Sequence, residues 1–276
     1  MKIMSLNVNR FAGMKNKAYT DTFTSLGECP KANEIAAYVE EFLNENIDGV
    51  VFLYEIPYKN SQGRGNDFKW LSERQLYKSF RSRLEGQYEI SSPGQNAYSC
   101  TLAIWNKNRG WVYQNGSFGR PAASTNKYVE LKSANLRLMG IHAPGDYQFL
   151  EDIRKYAEAH KNENLIIFGD FNIATNEWRA KKHKEQMEKG EKVAECKDFF
   201  ERRKWLLETM PSIGYSDIVD REKPTYFWQE KGQLKETTVD HVLVSLTLKD
   251  KVTVDVKRHG KYELSDHAVI IVDIEE

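Results

Sequence analysis

The stretch NLIIFGDFNIAT, residues 164–175, decides the fold of this chain. Its apolar first half runs into Gly169 and predicts a buried β-strand. Asp170 and Asn172 follow two positions apart, so strand alternation would place both side chains on one face. Gly, Asp and Asn are also common turn residues, and for this stretch alone a simple turn stays open. The stretch therefore raises the question of why a buried strand ends in two polar groups.

The composition of the chain limits the class of protein and the kind of partner it can have. The chain has 276 residues, of which 40% are hydrophobic and 29% charged, which is typical of a globular protein. We expect a single domain over residues 1–276. Lys plus Arg and Asp plus Glu number 40 each, so any basic surface for nucleic acid must be local.

The sequence favours a cytoplasmic protein with no membrane partner. The start, MKIMSLNVNR, alternates like a strand and lacks the apolar region of a secretory signal, and no run is long enough to span a membrane. The three cysteines, Cys29, Cys100 and Cys196, are odd in number and have no metal-like spacing, which indicates reduced thiols.

Strand-like runs alternate with helical patterns along the whole chain. DGVVFLYEIP is apolar on both faces, as a covered central strand would be, whereas residues 177–210 are typical of helices. A polar stretch, 58–85, separates the strand-like runs of the first half. This order predicts an α/β fold of two mixed sheets packed face to face with helices outside.

Polar residues recur where these apolar strands end. Each has an ordinary explanation: Glu55 could be the first exposed residue after its strand, Asn7 and Asn9 a turn pair, and His142 a structural hydrogen-bonding group. Together they occur on six strand-like segments: Asn7, Glu55, His142, Asp170 with Asn172, Asp240, and Asp266 with His267. Carboxylate and amide oxygens suit Mg²⁺, and an Asp can orient an imidazole. The set predicts metal-assisted attack of water on a phosphoester.

The motifs resemble one superfamily in wording and in order. SLNVN, YE, IHAPG, GDFN, PTYFW, TVDHVLVS and SDH are similar to those of the endonuclease/exonuclease/phosphatase superfamily, from Asn7 to His267. That superfamily includes DNase I, exonuclease III-type AP endonucleases, sphingomyelinases, inositol polyphosphate 5-phosphatases and deadenylases. The resemblance implies a DNase I-like four-layer α/β sandwich and an enzyme that uses Mg²⁺ or Mn²⁺.

The resemblance also implies roles for the residues that match the motifs. Glu55 matches the metal-binding glutamate and Asn7 the asparagine beside it. Asp170 matches the aspartate that positions or deprotonates water near the metal, and Asn172 the amide that orients nucleophile and phosphate.

The remaining matches lie near the C-terminus. His267 matches the histidine that contacts the scissile phosphate, often described as the general base, and Asp240 the acid that holds it. Asp266 lies where the family often has another metal or leaving-group contact.

Three positions leave the branch of the family open. His142 matches a histidine of DNase I-like nucleases, where exonuclease III-like enzymes usually carry a tyrosine, although the long segment 177–210 looks more like the exonuclease III branch. Asn9 replaces a frequent aspartate and is a candidate substrate contact. Trp228 matches an aromatic near the sugar pocket of AP endonucleases, or is a core residue.

Local charge indicates the substrate. Residues 58–85 hold seven Lys or Arg against three Asp or Glu, and residues 178–204 hold ten against six. Basic residues mixed with aromatics suit a nucleic-acid backbone, and we expect Arg64 and Arg81 to bind substrate. The leading hypothesis is therefore a monomeric, intracellular, Mg²⁺-dependent DNA nuclease.

Two alternatives remain from the sequence. One is a phosphatase or phosphodiesterase for a small molecule or lipid headgroup. The other is a non-catalytic binding module, which loss of Glu55, Asp170 or His267 would have indicated.

Overall fold

Two six-stranded mixed sheets form the framework of the protein in a computed structural model. The structure describes residues 1–14, 24–58, 68–92, 99–116, 118, 128–143, 145, 147–258 and 264–275. Within these residues the strands are β1 (Lys2–Asn7), β2 (Val50–Pro57), β3 (Tyr88–Ile90), β4 (Ser99–Asn106), β5 (Val112–Gly116), β6 (Tyr128–Lys132), β7 (Arg137–His142), β8 (Leu165–Asp170), β9 (Tyr215–Asp217), β10 (Tyr226–Glu230), β11 (Gln233–Thr237), β12 (Asp240–Ser245), β13 (Val252–Lys257) and β14 (Val269–Ile274). The helices are α1 (Pro30–Glu45), α2 (Phe68–Glu85), α3 (Tyr147–Ala159), α4 (Glu177–Glu188) and α5 (Val193–Lys204). A π-helical turn, Trp205–Thr209, and the short helix α6 (Met210–Ser212) follow α5.

The order of the strands brings distant parts of the sequence together. The first sheet has the order β13-β14-β1-β2-β4-β3 and the second the order β5-β6-β7-β8-β12-β9, while β10 and β11 form a separate hairpin. The pairs β1–β2 and β7–β8 are parallel, whereas β8–β12 and β1–β14 are antiparallel. As a result, β1 and β8 lie inside their sheets with neighbours on both sides.

The inner faces of the two sheets share one apolar core. Phe52 of the first sheet meets Phe168 of the second edge to face, with ring centroids 4.8 Å apart. A Cβ at Gly140 would lie 2.2 Å from the ring of Phe52, so only glycine allows the sheets to approach this closely. Burial of these rings contributes to the free energy that holds the sheets together.

Helices cover the two outer faces. α1 begins with Pro30 in its first turn and presents Ile35, Val39 and Leu43 to the first sheet. α3 and the π-helical turn pack against the second sheet, where Trp205 is fully buried. The predicted α/β sandwich of two mixed sheets with helices outside is therefore confirmed.

Two local features were not predicted from the sequence. The second half of the polar stretch 58–85 is the helix α2, which buries Leu76, Phe80 and Leu84 at helical spacing. Strand β2 continues to Pro57, so Glu55 lies inside the strand and is not the first residue after it.

Of the helices described, none is both long and apolar enough to cross a bilayer.

Candidate active site

Three polar side chains are aligned by the strand register of the second sheet. Asp170 on β8 is the direct partner of His142 on β7 and of Asp240 on β12. All three share the inner face of their strands with core residues such as Phe168, because side chains of one face recur at every second position. The register thus assembles an acid, an imidazole and a second acid at the same edge.

The first sheet adds an amide and a carboxylate from the opposite side. Asn7 ends β1 on its inner face and is buried. Glu55 reaches the same space through an irregularity: the pairing of β2 with β4 shifts between Leu53 and Ile56, and Glu55 adopts a φ of 56°. Left-handed backbone is costly for a residue with a Cβ, and such strain is concentrated at functional sites.

These groups form a compact cluster. Nε2 of His142 lies 3.1 Å from Oε1 of Glu55 and 3.6 Å from Oδ2 of Asp170. The Nδ2 of Asn7 donates to Oδ2 of Asp170 at 3.0 Å and to Oε1 of Glu55 at 3.4 Å. Candidate ligand atoms of Glu55, His142 and Asp170 all lie within 4.8 Å of one another, so the cluster could bind a divalent metal ion.

Asn7 was expected beside the metal, and its orientation favours a different role. Its Oδ1 accepts a hydrogen bond from the backbone N–H of Asn9 at 2.9 Å. The amide therefore presents its NH₂ group to the two carboxylates, and this arrangement favours positioning of Glu55 and Asp170 over metal ligation.

The carboxylates experience different environments. Burial alone would raise the pKa of Glu55, but the hydrogen bond and charge of His142 outweigh it and lower this pKa to about 2. Burial raises the pKa of Asp170, and the charge of Asp240 adds to the rise although the charge of His267 opposes it. Burial also raises the pKa of Asp266 to about 6. The cluster therefore holds one strongly acidic carboxylate beside two that retain protons more readily.

His267 and Asp240 form the expected pair. Nδ1 of His267 lies 2.9 Å from Oδ2 of Asp240, and its Nε2 lies 3.9 Å from Oδ2 of Asp170. Burial would lower the pKa of His267, but the charge and hydrogen bond of Asp240 outweigh it and raise this pKa to about 10. The imidazole is therefore a cation at neutral pH.

Turns explain why the opening stretch carries two polar residues. Strand β8 ends at Asp170, and the backbone N–H of Asn172 donates to Oδ1 of Asp170 at 2.8 Å. Asn172 has a φ of 53°, and its Nδ2 donates to the carbonyl of Ala143 at 3.1 Å. Strand alternation is thus the wrong reason for their shared location, since an aspartate-closed turn directs both groups to the site.

The C-terminal motif is held by the segment that carries PTYFW. The backbone N–H of Phe227 donates to the carbonyl of Asp266 at 2.8 Å, and that of Ala268 to the carbonyl of Thr225 at 2.7 Å. This pairing places the ring of Tyr226 4.9 Å from the ring of His267. Tyr226 thereby becomes a wall of the site.

A buried pair behind the site was not anticipated. Nδ1 of His241 lies 2.8 Å from Oδ2 of Asp217, and its Nε2 lies 2.8 Å from the carbonyl oxygen of Ile173. His241 faces away from Asp240 because neighbouring strand residues point to opposite faces. A histidine in the run TVDHVLVS is a visible signal, but nothing in the sequence identifies Asp217 as its partner.

The site opens into a pocket of about 860 Å³. Eight of the predicted site residues line it: Asn7, Asn9, Glu55, His142, Asp170, Asn172, Asp266 and His267. Asp240 lies directly behind His267. The pocket is also lined by Tyr226 and by Arg179, which were not among the site residues predicted from the sequence.

The structure does not place the predicted substrate-binding residues Trp228 and Arg81 in the lining of the pocket. Trp228 stacks on Tyr226, with ring centroids 5.5 Å apart, one ring away from the pocket. The structure does not bring Arg81 to the pocket, because its guanidinium donates to Glu85, Tyr77 and the carbonyl of Ser91 at 3.1 to 3.3 Å. Arg64 lies outside the described residues.

Comparisons with known proteins show what this chain is similar to. A family profile described as endonuclease-reverse transcriptase matches residues 138–271. A comparison with curated proteins finds no match.

Solved structures match over the whole chain. The 3′-5′ exonuclease NExo of Neisseria meningitidis aligns with a TM-score of 0.64 and 17% identity, covering 100% of both chains. An AP endonuclease of Archaeoglobus fulgidus aligns with a TM-score of 0.65 and 15% identity, also covering 100% of both. The endonuclease domain of TRAS1, a telomere-specific non-LTR retrotransposon, gives 0.56 and 15%, covering 100% of this chain and 98% of that one. The solved structures therefore show that this chain has the DNase I-like fold of these nucleases, and the profile match lies within that fold.

Proposed function

We propose that this protein is a divalent-metal-dependent phosphodiesterase that hydrolyses nucleic acid, with DNA as its substrate and Mg²⁺ or Mn²⁺ as its cofactor. The observation that carries the proposal is the meeting of Glu55, Asp170 and the His267–Asp240 pair in one pocket. Carboxylates from separate strands that converge in one pocket suit a divalent ion, and the His267 imidazole beside them suits an anionic substrate.

The proposed metal site rests on the donor set. Glu55 and Asp170 supply carboxylate oxygens and His142 a ring nitrogen, a combination that fits Mg²⁺ or Mn²⁺, the imidazole favouring Mn²⁺. When bound, the ion would polarise a phosphoryl oxygen and offset the charge that develops during attack. Asp266, which also lines the pocket, is a candidate for a further contact.

Asp170 and His267 are proposed to have different roles in the reaction. Because His267 is already protonated at neutral pH, it suits stabilisation of a phosphate in the transition state better than removal of a proton. Asp170 is held at both oxygens, by Asn7 and by the backbone N–H of Asn172, so it suits the orientation of the attacking water.

The relatives favour nucleic acid. The similar structures carry names of nucleases, and one of them is the Neisseria 3′ phosphatase NExo bound to a product DNA hairpin. We extend that substrate class to this chain. A reducing compartment such as the cytoplasm is part of the proposal, and the buried free thiols of Cys29, Cys100 and Cys196 support it.

A substrate panel with Mg²⁺, Mn²⁺ and EDTA tests the proposal. It contains plasmid, abasic duplex, single-stranded DNA, a 3′-phosphorylated duplex, RNA, inositol phosphates and bis(4-nitrophenyl) phosphate. We expect metal-dependent cleavage of DNA that EDTA abolishes. The Asp170→Asn variant should lose it, whereas Asp250→Asn, an exposed matched change that does not line the pocket, should keep it.

The other outcomes are equally informative. Hydrolysis of inositol phosphates with intact DNA would replace the proposal by the small-molecule phosphatase. Release of phosphate from the 3′-phosphorylated duplex alone would make it a DNA 3′ phosphatase. Failure of every substrate with both metals would contradict an enzymatic role.

A further inference from the structure

The pocket extends beyond the proposed catalytic cluster to a second wall. This wall belongs to the helical pair α4–α5, which follows the GDFN turn directly. It contributes Arg179 and His183 from α4 and Phe199 and Arg202 from α5. None of these side chains has a part in the chemistry proposed above, so the wall is available for another portion of the substrate.

The two arginines of this wall differ in how their charges are met. Arg202 is buried and donates to Asp198 at 2.8 Å and to the carbonyl of Gly145. Arg179 is half-buried and, within the described parts of the chain, has neither a carboxylate nor a carbonyl partner. The hydrogen-bond donors of Arg202 are therefore used by other residues of the protein, whereas Arg179 presents its positive charge to the pocket.

Among the residues that the structure describes, Arg179 is held in place by aromatic rings and not by anions. Its guanidinium carbon lies 5.3 Å from the ring centroid of Trp228 and 5.6 Å from that of Trp178. Such contacts orient the flat guanidinium without neutralising it. The start of α4 is fixed separately, because Arg203 donates to Glu177 and to the carbonyl of Thr175.

A continuous row of rings connects Arg179 to the reaction centre. Trp228 stacks on Tyr226 with an interplanar angle of 19°, and the ring of Tyr226 lies 4.9 Å from that of His267. Arg179 therefore lies in the same pocket as His267 but displaced along it, two rings away. A substrate with only one phosphate, held at His267, would leave Arg179 without an anion.

We propose that Arg179 forms a second phosphate subsite, which binds the phosphate adjacent to the scissile one in a nucleic-acid strand. This inference rests on the proposed function and narrows its substrate class to polymers of phosphodiesters. A half-buried guanidinium that has no carboxylate or carbonyl partner among the described residues gains most from such a phosphate, since its planar donors match two oxygens at once.

Two kinds of measurement test the subsite. The first compares kcat/KM of wild type, Arg179→Ala and Arg179→Lys on bis(4-nitrophenyl) phosphate, which has one phosphate, and on an oligothymidylate, which has several. We expect Arg179→Ala to lose about ten- to hundredfold on the oligonucleotide, the size of one charge-assisted contact, and to match wild type on the small diester. Arg179→Lys should recover part of the loss.

Lys182→Ala is the matched control, because Lys182 is an exposed cation of the same helix that does not line the pocket. It should behave as wild type on both substrates. Equal losses of Arg179→Ala on both substrates, or no loss on either, would overturn the subsite.

The second measurement does not need turnover, so it separates failure of the subsite from failure of the proposed function. Oligothymidylate binding to the Asp170→Asn protein is followed by fluorescence anisotropy against salt. Adding Arg179→Ala should reduce the log–log salt slope by about 0.7, the value for one contact on a single strand. An unchanged slope and affinity would refute the subsite, whether or not the enzyme hydrolyses DNA.

Discussion

Nε2 of His142 lies 3.1 Å from Oε1 of Glu55, so the carboxylate proposed to bind the metal is also paired with an imidazole. The pair spans the two sheets, since Glu55 belongs to β2 and His142 to β7. The geometry of the proposed metal site therefore depends on how the two sheets pack against each other.

The first prediction concerns metal binding by Glu55. Glu55→Gln keeps the size of the side chain but removes its charge, and we expect Mn²⁺ binding to weaken by about tenfold or more. Isothermal titration calorimetry of Mn²⁺ into the protein measures this directly. Glu89→Gln, an exposed change on β3, is the control. Equal Mn²⁺ affinity of Glu55→Gln and wild type would remove Glu55 from the site.

The second prediction concerns the His267–Asp240 pair. Asp240→Asn removes the charge that raises the pKa of His267 to about 10, so this pKa should fall toward the ordinary value near 6.5. Turnover at neutral pH should fall by about a hundredfold or more, because the imidazole loses both its orientation and its positive charge. NMR titration of the His267 ring protons and kcat against pH provide the two readouts.

A purely structural role of the pair would lower stability and move that titration but leave turnover unchanged. Wild-type turnover of Asp240→Asn across the pH range would show that the pair has no catalytic part. An unshifted His267 titration would show that Asp240 does not control its charge.

The sequence predicts the side chains of the second sheet better than those of the first. His142, Asp170 and Asp240 follow regular alternation, so their common face can be deduced from apolar runs in which every second residue is core. Glu55 violates the same rule. In a regular strand it would point outward with Leu53, and only the shift before Ile56 turns it inward. No pattern of residue types specifies that shift.

Substrate residues are harder still to deduce from composition. Arg81 and Arg179 both belong to basic, aromatic segments, and the sequence does not tell them apart. The structure distinguishes the two arginines. Arg81 donates hydrogen bonds to Glu85 and Tyr77, whereas Arg179 lines the pocket. Charge density thus identifies candidate segments, and only tertiary contacts show which cation remains available.

The third prediction concerns Gly169, which precedes Asp170 in the opening stretch. Its φ is 130°, and an added Cβ would lie 2.2 Å from the carbonyl oxygen of Ile141 and 2.8 Å from the ring of Tyr54. Gly169→Ala should therefore lower the free energy of unfolding by about 3 kcal/mol or more. Urea denaturation measures it, with Gly86→Ala as control, since a Cβ there meets nothing within 4 Å. Equal stability of the two variants would contradict this packing.

The last prediction uses the buried His241. Both of its ring nitrogens face acceptors at 2.8 Å, Asp217 on one side and the carbonyl of Ile173 on the other, so both must carry protons. Burial would lower the pKa of His241, but the charge and hydrogen bond of Asp217 outweigh it and raise this pKa. The charged ring thereby ties the segment after Asn172 to strand β12.

The sign of the pH dependence follows from that raised pKa. The unfolded-state pKa is near 6.5 and the folded-state pKa lies above it, so the contribution of His241 to stability is complete below about pH 6.5. It is lost as the pH rises through the folded-state pKa.

His241→Gln should lower the free energy of unfolding by about 1–3 kcal/mol at pH 6, because one acceptor loses its donor. The difference from wild type should then shrink toward pH 9. Urea denaturation from pH 6 to 9 tests this, and the titration of His267 has the same direction in both proteins and cancels in the comparison. A difference that stays constant or grows with pH would mean that His241 is neutral in the folded protein.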